Sequence, residues 1–541
     1  MDGTASGSSD KEALVRTIDD MVPRTHVLPL RARLAYSVGH VLNDLCASMW
    51  FTYLLVYLTF VRQFRSTLAG ALLLVGQVAD ALATPFVGIE SDRDDDFWLC
   101  RYGRRKTWHL VGTLCVMGTF PFLFSKPLGG EGSTQEAEFV YFAALIVIFQ
   151  LGWAATQVSH LSLIPDLTPI PHERVELNAL RQLRGDPPFR RCHPRRYSFT
   201  VASNIVVYTV TWVALGISGT DHEAQVGPPD AHVFRNIVLI VVGIGSLFSL
   251  VFHVVVRDPS RGGRRESASR HRDEYVRSLV LERSQHLRWR DWFRERRFYM
   301  VGLLYMSTRL YVNLSQVFIP MYIQETLKLH RQSIAIIPLV MYVSGFVSSL
   351  PVKYATRYIG TKNVYLLGGV LGVAGSIWIM LGQSTPGYTR YQIYGIAVLV
   401  GMAGTTVLLA SLAITNELIG GHTTSGAFVF GAMSFLDKMA NGIVVITIQD
   451  LHSCRTCEET ETNYYQYVVA LACGGAAAFG IILALFLLWD KDAPASRLSG
   501  NVSTNSLVAD HSQVRCVSPA DLEDAVDQSP SSPLLGPSPT L

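Results

Sequence analysis

The feature that most constrains this chain is a repeated pattern of long, nearly charge-free stretches separated by clusters of charge. The hydrocarbon core of a bilayer is about 30 Å thick, so about 20 apolar residues make one helical crossing. Such runs occur at 34–61, 67–89, 107–127, 139–165, 197–218, 233–256, 298–324, 333–352, 363–382, 391–415, 425–449 and 464–489. They are continuous rather than alternating, which excludes a transmembrane β-barrel. The expected fold is an all-α membrane protein with twelve transmembrane helices in two six-helix bundles.

Composition agrees. Charged residues make up 16 % of the 541 positions, against about 25 % in a soluble chain. This rules out a soluble enzyme, a secreted disulfide scaffold and a nucleic-acid binder, and a net charge of +3 on so long a chain implies no acidic partner. No catalytic constellation is present, so the chain is read as no enzyme, with no cofactor and no metal. Its expected partners are the lipid bilayer and a small-molecule substrate, and it is expected to act as a monomer.

Residues 1–32 are polar, without the apolar core of a signal peptide, and are read as a disordered cytosolic N-terminus. The first bundle covers 33–256 and the second 298–489. Between them, 257–297 holds 13 Arg against 7 Asp/Glu and reads as a basic cytosolic loop. The tail, 490–541, is rich in Ser and Pro and reads as disordered. Loops after spans two, four, six and eight carry the basic residues, whereas 219–232 and 450–462 are acidic, which places both termini in the cytosol. Under this topology neither sequon, Asn313-Leu-Ser315 in span seven or Asn501-Val-Ser503 in the tail, meets the lumenal glycosylation machinery. Gln182 to Arg196, with five Arg, three Pro and one Gly, cannot continue a helix and is read as an insertion before span five. Of the cysteines, Cys46, Cys115 and Cys473 lie in apolar runs as packing residues. Cys454 and Cys457 form a lone CxxC, open to a loop disulfide or to a metal or redox role.

The halves echo each other. Span two leads into Gly88-x-x-x-Asp92-Arg93 and then Arg101-Tyr-Gly103-Arg104-Arg-Lys106, while span eight leads into Arg357-Tyr-Ile-Gly360-Thr-Lys362. Transporters built from related bundles bind substrate between them.

A charge inside a bilayer costs at least about 2.5 kcal/mol even on insertion scales, so each needs a reason. His40, Asp44 and Ser48 are spaced i, i+4, i+8 in span one. Asp80 and Thr84 lie one turn apart in span two, and Gln150, Trp153, Gln157 and His160 share one arc of span four. Arg309, Asn313 and Gln316 share a face of span seven. Span eleven carries Asp437 and Lys438, with Ser434 and Asn441 expected to flank Lys438. Interhelical ion pairs explain any one of these, and a water-filled cavity explains them together; His160 reads equally as a loop histidine near the cytosolic mouth.

The chain resembles the major facilitator superfamily and, within it, the glycoside–pentoside–hexuronide cation symporter branch. The carriers are Asp80-Ala-Leu-Ala-Thr84-Pro85-x-x-Gly88-x-x-x-Asp92-Arg93, Arg101-Tyr-Gly-Arg-Arg-Lys106, Leu161-Ser-Leu-Ile-Pro165 and Lys438. The segments Tyr36–Trp50, Val158–Pro165, Met306–Gln316 and Met433–Lys438 resemble the major facilitator superfamily domain-containing protein 12 group. The resemblance implies alternating access between two bundles and cysteine import into lysosomes or melanosomes. It matches Asp44 to the branch's span-one acid, Asp80 to the first span-two acid and Lys438 to its span-eleven lysine. Thr84 and Gln157 stand where the branch has further acids, which weakens a sodium site and a sugar substrate and favours a zwitterionic amino acid. The implied substrate residues are Asp44, Gln157, Arg309, Asn313 and Lys438, with Asp80 and Thr84 coupling an ion, a proton being the candidate. Gly88, Asp92, Arg93, Gly103, Arg104 and Lys106 form the implied gating motif. Open alternatives are a sugar–cation or lysolipid transporter of the same fold, and a transport-dead scaffold or receptor.

Overall fold

A computed structural model describes residues 30–92, 102–129, 132–167, 199–218, 225–256, 290–382, 385–420, 426–455 and 463–489. The reading of 182–196 as an insertion, Arg93, residues 257–289 of the basic loop, the tail with its Asn501 sequon, and Cys457 all lie outside the described residues. Helices stand at all twelve expected positions: α1 Arg31–Val61, α2 Ser66–Asp92, α3 Arg104–Leu123, α4 Gln135–Ser162, α5 Phe199–Ile217, α6 Ala231–Val255, α7 Arg296–Met321, α8 Ser333–Ile359, α9 Thr361–Leu381, α10 Ile393–Ile419, α11 Gly426–Arg455 and α12 Tyr464–Trp489. Among the described residues, nine are long and apolar enough to cross a membrane by composition alone. The others are α3, which opens on three basic residues, α5, whose apolar part is short, and α7, whose interior carries Arg309, Asn313 and Gln316. These three are still helices because every backbone N–H and C=O must be bonded internally where water is excluded.

The repeat expected from the two basic loops extends into the backbone. Both α1 and α7 end in a π-turn, Tyr57–Val61 and Tyr322–Thr326, followed by a residue in the left-handed region, Gln63 at φ 60° and Lys328 at φ 50°. The same cap follows: Arg62 N–H bonds Tyr57 O at 2.8 Å, and Leu327 N–H bonds Tyr322 O at 3.0 Å. Gly103 and Gly360 stand before α3 and α9 at φ 119° and 84°, a conformation that glycine adopts without the Cβ penalty.

The halves meet along α2–α11, α5–α8 and α1–α7. The first two are exchanged when each helix is replaced by its counterpart six places on, as a twofold-related pair of bundles requires. Within the first half, α3 and α4 touch backbone to backbone, since a Cβ on Gly112 would lie 2.6 Å from the Gly152 carbonyl oxygen. At the end opposite the basic loops, the halves are tied together. Arg331 Nη1 lies 3.2 Å from Asp230 Oδ1, and His452 lies 3.0 Å from Ser66 Oγ through Nδ1 and 2.9 Å from Glu325 Oε1 through Nε2.

Candidate functional site

At the seam, a small cavity is lined by Trp50 and Phe51 of α1, Leu73 and Gln77 of α2, Asn313 and Val317 of α7, and Asn441, Gly442 and Val445 of α11. Its polar lining comes from Gln77, Asn313 and Asn441. One turn from Gln77, on the same helix, Asp80 meets the other half. Lys438 Nζ lies 2.8 Å from Asp80 Oδ1 and donates to Thr84 Oγ1 at 2.9 Å, while Thr84 donates to Asp80 Oδ1 at 3.2 Å. The ammonium thus stands between Asp80 and Thr84 and pairs with the carboxylate of the other half.

The second charge pair lies within the C-terminal half. Arg309 Nε is 3.0 Å from Asp437 Oδ2, and Asn441 Nδ2 donates to Asp437 Oδ1 at 2.6 Å. The 4 % exposed Asp437 side chain is therefore bonded on both oxygens, whereas the Arg309 side chain remains 28 % exposed. Both helices then supply a cavity asparagine one turn on, Asn313 from α7 and Asn441 from α11. This corrects the expectation for span eleven: Asn441 serves Asp437, not Lys438, because a four-residue step returns to the same helix face.

In the N-terminal half, Asp44 accepts from His40 Nδ1 at 2.9 Å. Next along the same face come Ser48, bonded to Asn204, and Thr52, 2.7 Å from Tyr208 Oη. Asn204 and Tyr208 are one turn apart on α5, and the Tyr208 ring lies 5.1 Å from that of Tyr342 on α8, which accepts from Gln316. Gln157 accepts from Trp153 Nε1 at 3.0 Å on its own helix. Neither Asp44 nor Gln157 lines the seam cavity, so the structure unites Asn313 with the cavity, Lys438 with Asp80 and Thr84, and leaves Asp44 and Gln157 in local bonds. His160 is inside α4 and fully buried, with Nε2 bonded to Tyr36 O at 2.8 Å, so the loop-histidine reading is set aside.

Of the motif assigned to gating, Gly88 and Asp92 lie in the last turns of α2, Gly103 precedes α3 and Arg104 begins it. Lys106 is buried and donates to His253 O at 3.0 Å and Val256 O at 2.6 Å, closing the carbonyl end of α6. Lys362 does the same for α12, donating to Leu487 O at 2.6 Å. Sequence reasoning missed Thr52, Asn204, Tyr208 and Tyr342. The first three were within reach, as Thr52 continues the four-residue spacing of span one and Asn204 and Tyr208 repeat it in span five.

Asp80 and Lys438 pair at the seam of two repeated halves, and the architecture is that of a multi-pass membrane transporter. The family model "MFS/sugar transport protein" matches residues 35–185, and "Major Facilitator Superfamily" matches 194–440. The chain is 46 % identical over 492 residues to major facilitator superfamily domain-containing protein 12 of Homo sapiens, covering 87 % of this chain and 97 % of that one. The Mus musculus protein of that name is 46 % identical over 478 residues, with 86 % and 95 % covered. A crystal structure of a D-xylose-proton symporter superposes with a TM-score of 0.59 at 15 % identity, covering 86 % of this chain and 98 % of that one. The chain belongs to the major facilitator superfamily and, within it, to the family of major facilitator superfamily domain-containing protein 12.

Proposed function

We propose that the chain is a secondary active transporter of a small zwitterionic amino acid, cysteine, which it imports into lysosomes or melanosomes by alternating access. The observation that carries the reading is Arg309. Its Nε is held by the buried Asp437, its side chain is part-exposed, and its helix lines the seam cavity at Asn313. A guanidinium fixed at Nε offers its Nη edge to a carboxylate in fork geometry. Asp44 is the acid of the first half for the substrate amine, and its approach requires the halves to rearrange, as alternating access does. Orientation follows loop charge, with both termini cytosolic, and the organelle follows the family resemblance.

The match to a sugar-transport family model over 35–185 favours a second reading, a sugar–cation symporter. Lys438 beside Thr84 argues against it, since an ammonium occupies the surroundings a sodium ion needs. Uptake of labelled cysteine, sugars and lysolipids by vesicles containing the purified chain separates the readings: cysteine uptake is expected, and sodium-driven sugar uptake in its place overturns the proposal.

A further inference from the structure

Three buried amides converge on the seam cavity from three helices: Gln77 of α2, Asn313 of α7 and Asn441 of α11, at 8 %, 5 % and 3 % exposed. Close approaches of the helices hold Gln77 in place. The Trp50 ring lies against the backbone of Gly76, where a Cβ would collide with it, and a Cβ on Gly442 would lie 3.1 Å from Gln77 Cβ. The walls around the amides, Trp50, Leu73, Val317 and Val445, carry no charge. The cavity measures about 10 Å³, the room of one water-sized group.

Asn441 has only one orientation. Its Nδ2 donates to Asp437 Oδ1 at 2.6 Å and to the Asp437 carbonyl oxygen at 2.9 Å, which uses both N–H bonds. The Asp437 carboxylate, paired with Arg309, only accepts, so the amide cannot be turned round. Asn441 Oδ1 is left as a buried acceptor without a donor among the described residues. The side chains of Gln77 and Asn313 make no hydrogen bond among the described residues either. Empty, such a site buries three amides with hydrogen bonds unmade, a cost that an apolar lining of the same shape avoids.

We propose that Gln77, Asn313 and Asn441 form the side-chain subsite of the transporter and select a short, uncharged side chain ending in a hydrogen-bond donor, the thiol of cysteine. The proposal rests on the amino-acid reading above and adds Gln77 and Asn441 to it. A thiol donates weakly through S–H and accepts weakly at sulfur. Asn441 Oδ1 takes the S–H, and the amide N–H groups of Gln77 and Asn313 are available to the sulfur. Asn313 follows Arg309 by four residues and Asn441 follows Asp437 by four, so the amides lie about 6 Å along the helices from the Arg309–Asp437 pair. A carboxylate bound at Arg309 thereby leaves the side chain of a small amino acid among the amides. A charged side chain finds no opposite charge in this lining, and burying it unpaired is costly. A methyl group in place of the thiol fills the same space but leaves Asn441 Oδ1 unpaired.

The test compares cysteine with 2-aminobutyrate, which carries a methyl group where cysteine has its thiol. Binding to purified chain is read from the rise in unfolding temperature with ligand concentration, and transport from competition against labelled cysteine in reconstituted vesicles. The wild type is expected to bind cysteine about tenfold more tightly than 2-aminobutyrate, the scale of one hydrogen bond to a buried acceptor. Gln77→Leu and Asn441→Leu are expected to bring that ratio close to one. A merely structural role for either amide weakens both ligands together and keeps the ratio. Gln77 bonds neither Asp437 nor Arg309, so Gln77→Leu reads the subsite without disturbing that pair and carries the test alone if Asn441→Leu does not fold. Equal affinity of the wild type for the two ligands, or leucine variants that keep the wild-type preference, overturns the subsite and leaves the amino-acid reading standing. Binding of neither ligand by the wild type overturns the amino-acid reading, and the subsite with it.

Discussion

Lys438 on α11 and Asp80 on α2 hold their charged atoms 2.8 Å apart across the seam of the two halves, with Thr84 bonded to both. The relationship changes what these residues are expected to do on substitution. The family resemblance implies a substrate-binding role for Lys438; in the structure it pairs with a carboxylate 12 % exposed. Lys438→Met should therefore lower the unfolding temperature, because removing one partner of a buried pair costs about 3–5 kcal/mol. Asp80→Asn with Lys438→Met should recover most of that loss while transport stays absent. Thermal unfolding of both variants in detergent checks this, and a double variant no more stable than the single one contradicts it.

Arg309 is expected to tolerate no conservative change. Lysine has no Nε–H to hold Asp437 while presenting a fork to substrate. Arg309→Lys should raise the concentration for half-maximal uptake at least tenfold with near-normal surface expression. Asp437→Asn, which keeps a hydrogen bond to Arg309 but removes the charge, should have a smaller effect, measurable in the same uptake series.

Lys106 and Lys362 close the carbonyl ends of α6 and α12 at equivalent places in the two halves. Replacing either with Met should cost about 1–2 kcal/mol of stability, the scale of a cation at a partly buried helix C-terminus. Similar shifts in unfolding temperature are expected from the two variants. A shift from Lys106→Met alone would show that the two caps are not equivalent.

The ties at the end opposite the basic loops should resist opening. Ser66→Ala removes the hydroxyl that meets His452 across the halves, and Asp230→Asn the charge paired with Arg331. In a background with Gln324→Cys, buried at this closure, labelling by a water-soluble maleimide should be faster with either change and fastest with both. Labelling that stays at the parent rate argues that these pairs do not hold the closure.

Asn313 is 5 % exposed within α7 and lines the seam cavity, which no glycan could share. Digestion with an N-glycosidase should leave the mobility of the chain unchanged.

The twelve helices were legible because continuous apolar runs and charge clusters are properties of the chain alone. α3 and α7 were placed correctly despite weak hydropathy, since their polar residues fall on one face or at one end. The π-turns at Tyr57–Val61 and Tyr322–Thr326 left no sequence signal: the two segments share a backbone path and little else. Gly103 and Gly360 were visible as a repeat, but their positive φ was not. Within the candidate site, the residues were legible and their pairings were not. Spacing along one helix shows that Asn441 shares a face with Asp437, yet which charge on α2 or α7 meets which on α11 depends on helix packing. The histidines at 40, 109, 160 and 253 are scattered over more than two hundred positions, and only the fold brings them together.

The central claim is that an amino-acid carboxylate is bound by Arg309 at the seam of the two halves. The most direct measurement is uptake of labelled cysteine into lipid vesicles reconstituted with purified wild-type chain, Arg309→Lys and Asp44→Asn. Saturable uptake by the wild type, inhibited by unlabelled cysteine and not by its carboxyl-amidated analogue, with both variants reduced at least tenfold, is the expected result. Uptake that the amide inhibits as well as cysteine does, or that Arg309→Lys supports at the wild-type rate and affinity, contradicts it.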